Sequence, residues 1–150
     1  MYRTSPVHAG FTIFTAPEHV PEGMRTSISD LSADIVAAEQ AGHIDSYVLA
    51  AKYCHKFVNI HPFVDGNGRT CRLILNVLVF KYTGMLCVLG ENEQAVQNYL
   101  SVAVRGSESD QAWKDADEVE TAFMKSPWGE LAFFILRQVT KGLDIEWTVS

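Results

Sequence analysis

Apolar residues along most of this chain recur at helical rather than alternating steps. Ile28, Leu31, Ile35 and Ala38 fall three or four apart, which predicts an amphipathic helix ended by Gly42. Tyr47, Ala50, Cys54, Phe57 and Val58 share one face of a second helix, capped by Asp45 or Ser46. A loop rich in Gly and Pro follows, from Asn59 to Gly68. A third helix should run from near Gly68 to Tyr82, with Gly84 just past its end. Leu73, Ile74, Leu75, Val77, Leu78, Val79 and Phe80 cover almost all its sides, the pattern of a buried, central helix. Val96, Tyr99, Leu100 and Ala103 predict a fourth helix over Glu93 to Arg105, and Ala112, Ala116, Val119 and Phe123 an acidic fifth. Ser126-Pro127 opens a last one, with the stripe Leu131, Phe134, Ile135 and Val139 and with Gly142 closing it.

The N-terminus reads differently. Residues 2–15 are extended in pattern, with Gly10 as a turn between two short runs. Pro6 cannot donate to a ladder, so the first run is an edge strand. Ala16 to Gly23, holding Pro17 and Pro21, reads as a connector. The expected fold is one mostly α domain over residues 1–150, a helical bundle with a small N-terminal β-hairpin.

Composition narrows the class. With 150 residues, 47% apolar and 20% charged, the chain is long enough for a hydrophobic core and has an ordinary globular mix. The densest apolar stretch, Leu73 to Phe80, is far too short to cross a bilayer, and no leader-like pattern opens the chain. No membrane association is expected. Cys54, Cys71 and Cys87 include no Cys-x-x-Cys pair, which argues against a disulfide framework and a zinc site. Buried thiols in a reducing, cytoplasmic setting are expected. The net charge of −6 is uneven: −4 over residues 1–50, +2 over 51–100 and −4 over 101–150. That excludes an extended basic face for nucleic acid but suits a local pocket for a small anion.

The positive third holds the candidate chemistry. His61-Pro62-Phe63-Val64-Asp65-Gly66-Asn67-Gly68-Arg69 runs straight into the start of the third helix. Free N–H groups and the helix dipole favour an anion there. Gly66 and Gly68 let a phosphate approach closely. Arg69 and Arg72 lie three apart in the first turns, and guanidinium groups pair with phosphate oxygens. Asp65 supplies a hard oxygen for Mg²⁺, which often needs only one or two carboxylates besides substrate phosphates. His61 suits a general base. Each element alone has an ordinary structural use; their conjunction points to phosphoryl or nucleotidyl transfer to a hydroxyl. A dinucleotide fingerprint is excluded, because no strand precedes Gly66 and the third glycine is missing.

His61 to Arg72 resembles the signature of Fic (filamentation induced by cAMP) domain proteins, His-Pro-Phe-x-(Asp/Glu)-Gly-Asn-Gly-Arg-x-x-Arg, at all nine specified positions. The resemblance implies a Fic-like helical bundle and a protein adenylyltransferase. His61 would deprotonate a Ser, Thr or Tyr hydroxyl of a target protein, which would attack the α-phosphorus of ATP. Asp65 would hold Mg²⁺. Gly66, Asn67 and Gly68 would form the anion hole, and Arg69 and Arg72 would bind the phosphate tail, Arg72 its end. Phe63 would anchor the loop in the core, and Tyr99 would line the base pocket. A hairpin flap over about Arg3 to Thr15, with Thr4, Ser5, Val7, Phe11, Thr12 and Ile13, would pair with the target as an added strand. Related chemistries on the same fold are transfer of UMP, phosphate or phosphocholine, or removal of AMP. A non-catalytic nucleotide- or peptide-binding module is the alternative of another class.

Many family members carry an inhibitory helix with Ser/Thr-x-x-x-Glu-Gly/Asn, whose Glu pairs with the second motif arginine. Glu22-Gly23 has Glu18 four residues back and Glu91-Asn92 has Cys87, so neither fits. The resemblance therefore implies a truncated piece lacking that helix, or a regulatory partner supplying the Glu.

Overall fold

The computed structural model describes residues 1–9, 12–89, 102 and 126–146. Strands β1 (His8–Ala9) and β2 (Thr12–Ile13) pair antiparallel, His8 opposite Ile13 and Ala9 opposite Thr12. A 3₁₀ turn at Pro17–His19 leads into α1 (Val20–Ala41). Then come α2 (Ser46–Ile60), α3 (Asn67–Thr83) and α4 (Gly129–Glu146). The regions of the expected fourth and fifth helices, Tyr99 included, lie outside the described residues, except Val102, which is buried in the core.

The chain is mostly helical, as the periodicity requires. The expected connector at Ala16 to Gly23 is instead helical from Pro17 onward. Prolines sit in the first turn of each element, where the missing N–H costs no hydrogen bond. Between the expected caps for α2, Asp45 takes the role: its carboxylate accepts from the N–H groups of Tyr47 and Val48 at 3.1 and 3.0 Å. Gly84, at φ 70°, ends α3 in the left-handed conformation that glycine adopts without strain. Gly142 does not close α4, which continues to Glu146. An interior glycine costs a helix only about 1 kcal/mol, and Leu131, Ala132, Ile135 and Val139 hold this one against the core.

The central helix is α2, not α3. It packs against α1, α3 and α4, and nine of its residues are buried, from Ser46 to Ile60. On α3 only one side is buried, by Cys71, Leu75, Leu78 and Val79, while Leu73 (66%), Val77 (64%) and Phe80 (53%) stay exposed. Apolar density fixes which residues could be buried; packing partners fix which are. In α1, Leu31 and Ile35 pack against the core while Ile28 is exposed, and two ion pairs, Asp34–Lys52 and Asp30–Lys56, tie α1 to α2.

All three cysteines are buried, and none forms a disulfide among the described residues. Cys54 and Cys71 face each other across α2 and α3, each thiol directed at the other's backbone carbonyl, at 3.2 and 3.8 Å. The Cys71 side chain, through a hydrogen bond, and then burial push the Cys54 thiol well above its ordinary range. No helix among the described residues is long and apolar enough to cross a membrane.

The two faces of α3 give a direct test. Leu75→Ala, at a fully buried position, should cost roughly 2–5 kcal/mol in urea unfolding. Leu73→Ala, two residues away and exposed, should change stability by no more than about 0.5 kcal/mol.

Candidate active site

The site forms where α2 ends and α3 begins. Residues 61–66 must reverse the chain between them. His61 closes α2 in the left-handed conformation (φ 49°, ψ 60°), its N–H donating to the Phe57 carbonyl at 2.9 Å. Gly66 opens α3 at φ 89°, where a side chain would be strained. Between them, the buried Asn67 amide locks the loop. Its Nδ2 donates to the Phe63 carbonyl at 2.7 Å, and its Oδ1 accepts from the Phe63 N–H at 3.0 Å. The Phe63 ring lies 6.1 Å from that of Tyr2 and 6.2 Å from that of Phe57, which pins the loop to the core.

No side chain caps α3, so the N–H groups of its first turn are free for an anion at the positive end of the helix dipole. A cavity of about 300 Å³ opens there, formed by His61, Val64, Asp65, Gly66, Asn67, Gly68, Arg69 and Arg72. The motif residues expected to act as base, metal ligand and phosphate binders, His61, Asp65, Gly66, Asn67, Gly68, Arg69 and Arg72, therefore line one cavity, while Phe63 packs against the core. Asn67 reaches the cavity differently than its expected anion-hole role suggests: its amide is engaged with Phe63, which leaves its main chain to face a ligand. A Cβ at Gly68 would meet Arg72 at an ordinary 3.7 Å, so this glycine keeps the mouth open rather than relieving strain.

The charges are arranged around this cradle. Asp65 accepts from the Gly66 N–H at 2.6 Å and pairs with Arg69 at 2.9 Å. Arg72 makes no ion pair among the described residues, so its charge is available to the cavity. His61 stacks on Phe14, ring centroids 4.0 Å apart and planes 20° apart. Its Nδ1 is buried and has no hydrogen-bond partner. Burial pushes the His61 pKa below 6.5. The Val58 carbonyl, close to the ring without closing a normal hydrogen bond, opposes that, and the Arg3 charge adds to it.

A sequence model of the Fic/DOC family matches residues 1–79, which takes in the hairpin, the loop and most of α3. The chain belongs to the Fic/DOC family. It is 35% identical over 82 residues to a Fido domain-containing protein of Dictyostelium discoideum, covering 55% of this chain and 54% of that protein. It is 34% identical over 102 residues to a protein adenylyltransferase of Caenorhabditis elegans, covering 68% of this chain and 19% of that one. The chain thus spans about half, or less, of the length of these relatives. Its fold is similar to that of a Fic domain-containing signaling protein from Bacteroides thetaiotaomicron, with a TM-score of 0.66 and 20% identity, covering 92% of this chain and 51% of the other.

Among the described residues of this Fic/DOC domain, none of the N-terminal segment lines the cavity. The ladder is confined to His8–Ala9 and Thr12–Ile13, shorter than the expected flap from Arg3 to Thr15. Thr4, Ser5 and Ile13 are exposed and Val7 is half-buried. Thr12 pairs with Ala9 through the backbone, and Phe11, like Tyr99, lies outside the described residues.

The residue that sequence reasoning missed is Arg3. It is only 3% exposed. Its Nε donates to the His61 carbonyl at 2.7 Å, Nη1 to the Ser5 carbonyl at 3.0 Å, and Nη2 to the carbonyls of Thr15 and, at 3.3 Å, Ile60. Its own N–H donates to the Pro62 carbonyl at 2.9 Å. The available hint was that Arg3 is the only charged residue among the first seventeen, although nothing local says where it points.

Truncating Arg3 leaves several buried carbonyls without donors. Arg3→Met should lower unfolding free energy by roughly 2–4 kcal/mol, read by urea titration. Arg3→Lys should recover less than half of that loss, because one ammonium cannot reproduce a guanidinium fork spread over four carbonyls.

Proposed function

We propose that this Fic/DOC domain is a protein adenylyltransferase, moving AMP from ATP to a hydroxyl of a target protein. The observation that carries the reading is the single cavity holding His61, an uncapped helix N-terminus and Arg72. A relative named protein adenylyltransferase, matched over 68% of this chain, supports it.

The proposed step uses each group once. With Nδ1 buried, Nε2 of His61 is the nitrogen that can meet the target hydroxyl and take its proton. The oxygen then forms a bond to the α-phosphorus of ATP, the bond between that phosphorus and the bridging oxygen breaks, and pyrophosphate leaves. The proton on His61 passes to solvent. The free N–H groups of the first turn of α3 would stabilise the charge developing on the α-phosphate, with Arg69 and Arg72 on the phosphate tail.

Mg²⁺ would neutralise the phosphates, and Asp65 is the residue that would hold it. No group of three or more His, Cys, Asp or Glu suited to a metal exists among the described residues. A single carboxylate beside the anion cradle fits a cation bound mainly through substrate phosphates. The Asp65–Arg69 pair must open for this. Both side chains are largely exposed, at 89% and 70%, and an exposed pair is worth only about 0–1 kcal/mol, so exchange is cheap. In the same reading Tyr99 would line the base pocket. The target would dock as a strand along the hairpin, through Thr4, Ser5, Val7, Phe11, Thr12 and Ile13, and a regulatory partner would act by supplying a Glu to Arg72. Cytoplasmic action is part of this proposal.

Incubation with Mg²⁺ and ATP labelled at the α-phosphate should put label on protein, and His61→Ala should reduce it by at least about 100-fold. Label arriving only from the γ-phosphate would sink the adenylyl reading. Tight ATP binding with no transfer would favour a binding module.

The His61 pKa adds a pH dependence. Burial holds the His61 pKa below that of an ordinary histidine, so the neutral, proton-accepting form persists to lower pH. The acid limb of the pH–rate profile should therefore lie below the ordinary histidine value of about 6.5. An acid limb with its midpoint above that value would contradict the assignment.

A further inference from the structure

A general base must be held in one orientation, and a histidine is usually held by a hydrogen bond at its other ring nitrogen. At His61 that restraint is weak: the Val58 carbonyl acts on the ring, but the buried Nδ1 closes no normal hydrogen bond among the described residues. Its backbone is fixed by the left-handed turn and by Arg3, but neither restrains rotation of the ring about its own side-chain bonds. The ring's neighbour is Phe14, stacked at 4.0 Å. A half-turn of the imidazole would sweep its edge through the Phe14 ring, so the stack blocks the flip that would bury Nε2.

We propose that Phe14 is the positioning residue of His61, its stacked ring holding the imidazole plane and keeping Nε2 on the cavity. Phe14 directly follows β2, and the next residue, Thr15, is tied to the end of α2. The Thr15 N–H and hydroxyl both donate to the Asn59 carbonyl, at 3.1 and 3.2 Å, and its own carbonyl accepts from Arg3. The hairpin's last strand thus leads into the residue that orients the base, and Phe14 is not among the residues that line the cavity. This rests on His61 being the base, but the stack itself does not.

The test has two arms, each on the whole chain. In the first, the His61 ring protons are followed by NMR and assigned by their loss in His61→Ala. Ring current from Phe14 should set them upfield of the other four histidines. Phe14→Leu, which keeps an apolar side chain, should move them toward those others, and Phe14→Tyr should not. In the second, transfer from α-labelled ATP should fall about 10- to 100-fold in kcat for Phe14→Leu, the size expected for a misplaced catalytic group. KM for ATP should stay within about twofold, because uniform binding is untouched, and Phe14→Tyr should restore most of the rate. Unmoved His61 resonances in a folded Phe14→Leu overturn the proposal. So does an unchanged kcat once the stack is gone. If the unmodified protein transfers nothing, the adenylyl reading fails, and the resonances alone decide whether Phe14 orients the ring.

Discussion

A helix that ends against protein rather than water must find donors for its last carbonyls, and α2 ends this way. The carbonyls of residues 59–62 are taken in turn: Asn59 by Thr15, Ile60 and His61 by the Arg3 guanidinium, Pro62 by the Arg3 N–H. A buried cation normally requires a carboxylate. Arg3 is directed instead at the negative end of a helix dipole, supplemented by the carbonyls of Ser5 and Thr15. The N-terminal segment and the end of α2 are consequently one unit. That unit fixes the backbone of His61, which would otherwise resist a left-handed conformation.

The other half of the site depends on α3. Asn67 joins its first turn to Phe63, and Phe63 joins the loop to the core. His61 is thus held from the α2 side and the anion cradle from the α3 side. Asp65 and Arg69, at the exposed rim, are held by each other and, for Asp65, by the adjacent Gly66 N–H. His61 and the cradle are tied down through the backbone, while the rim groups proposed to meet metal and phosphate are bound only by exposed contacts.

Much of this was legible in the chain. The spacing of apolar residues located α1 to α3 and the last helix, because each presents one stripe to a neighbour. The motif residues were legible as a group because small, acidic and basic residues had no reason to cluster at the mouth of a helix otherwise. Three features were not legible. Residues 17–19 and the first turn of α1 looked like a connector because proline breaks helices everywhere except at their start. Leu73, Val77 and Phe80 looked buried because periodicity counts apolar residues without knowing what packs on them. Arg3 and Phe14 were invisible as parts of the site because they reach His61 across 58 and 47 residues of sequence, and no local pattern encodes such a meeting.

The packed side chains of Cys54 and Cys71 have a geometric consequence. Two small side chains set how closely α2, which leads into His61, approaches α3, which begins at the cavity. Both residues are wholly enclosed, so a bulkier group at either would act as a wedge. The wedge would open the gap from behind and tilt α3 together with its first turn. The spacing between His61 and the first turn of α3 is thus gauged by a pair of residues of which one, Cys54, lies outside the motif and the other, Cys71, falls at one of its unspecified positions.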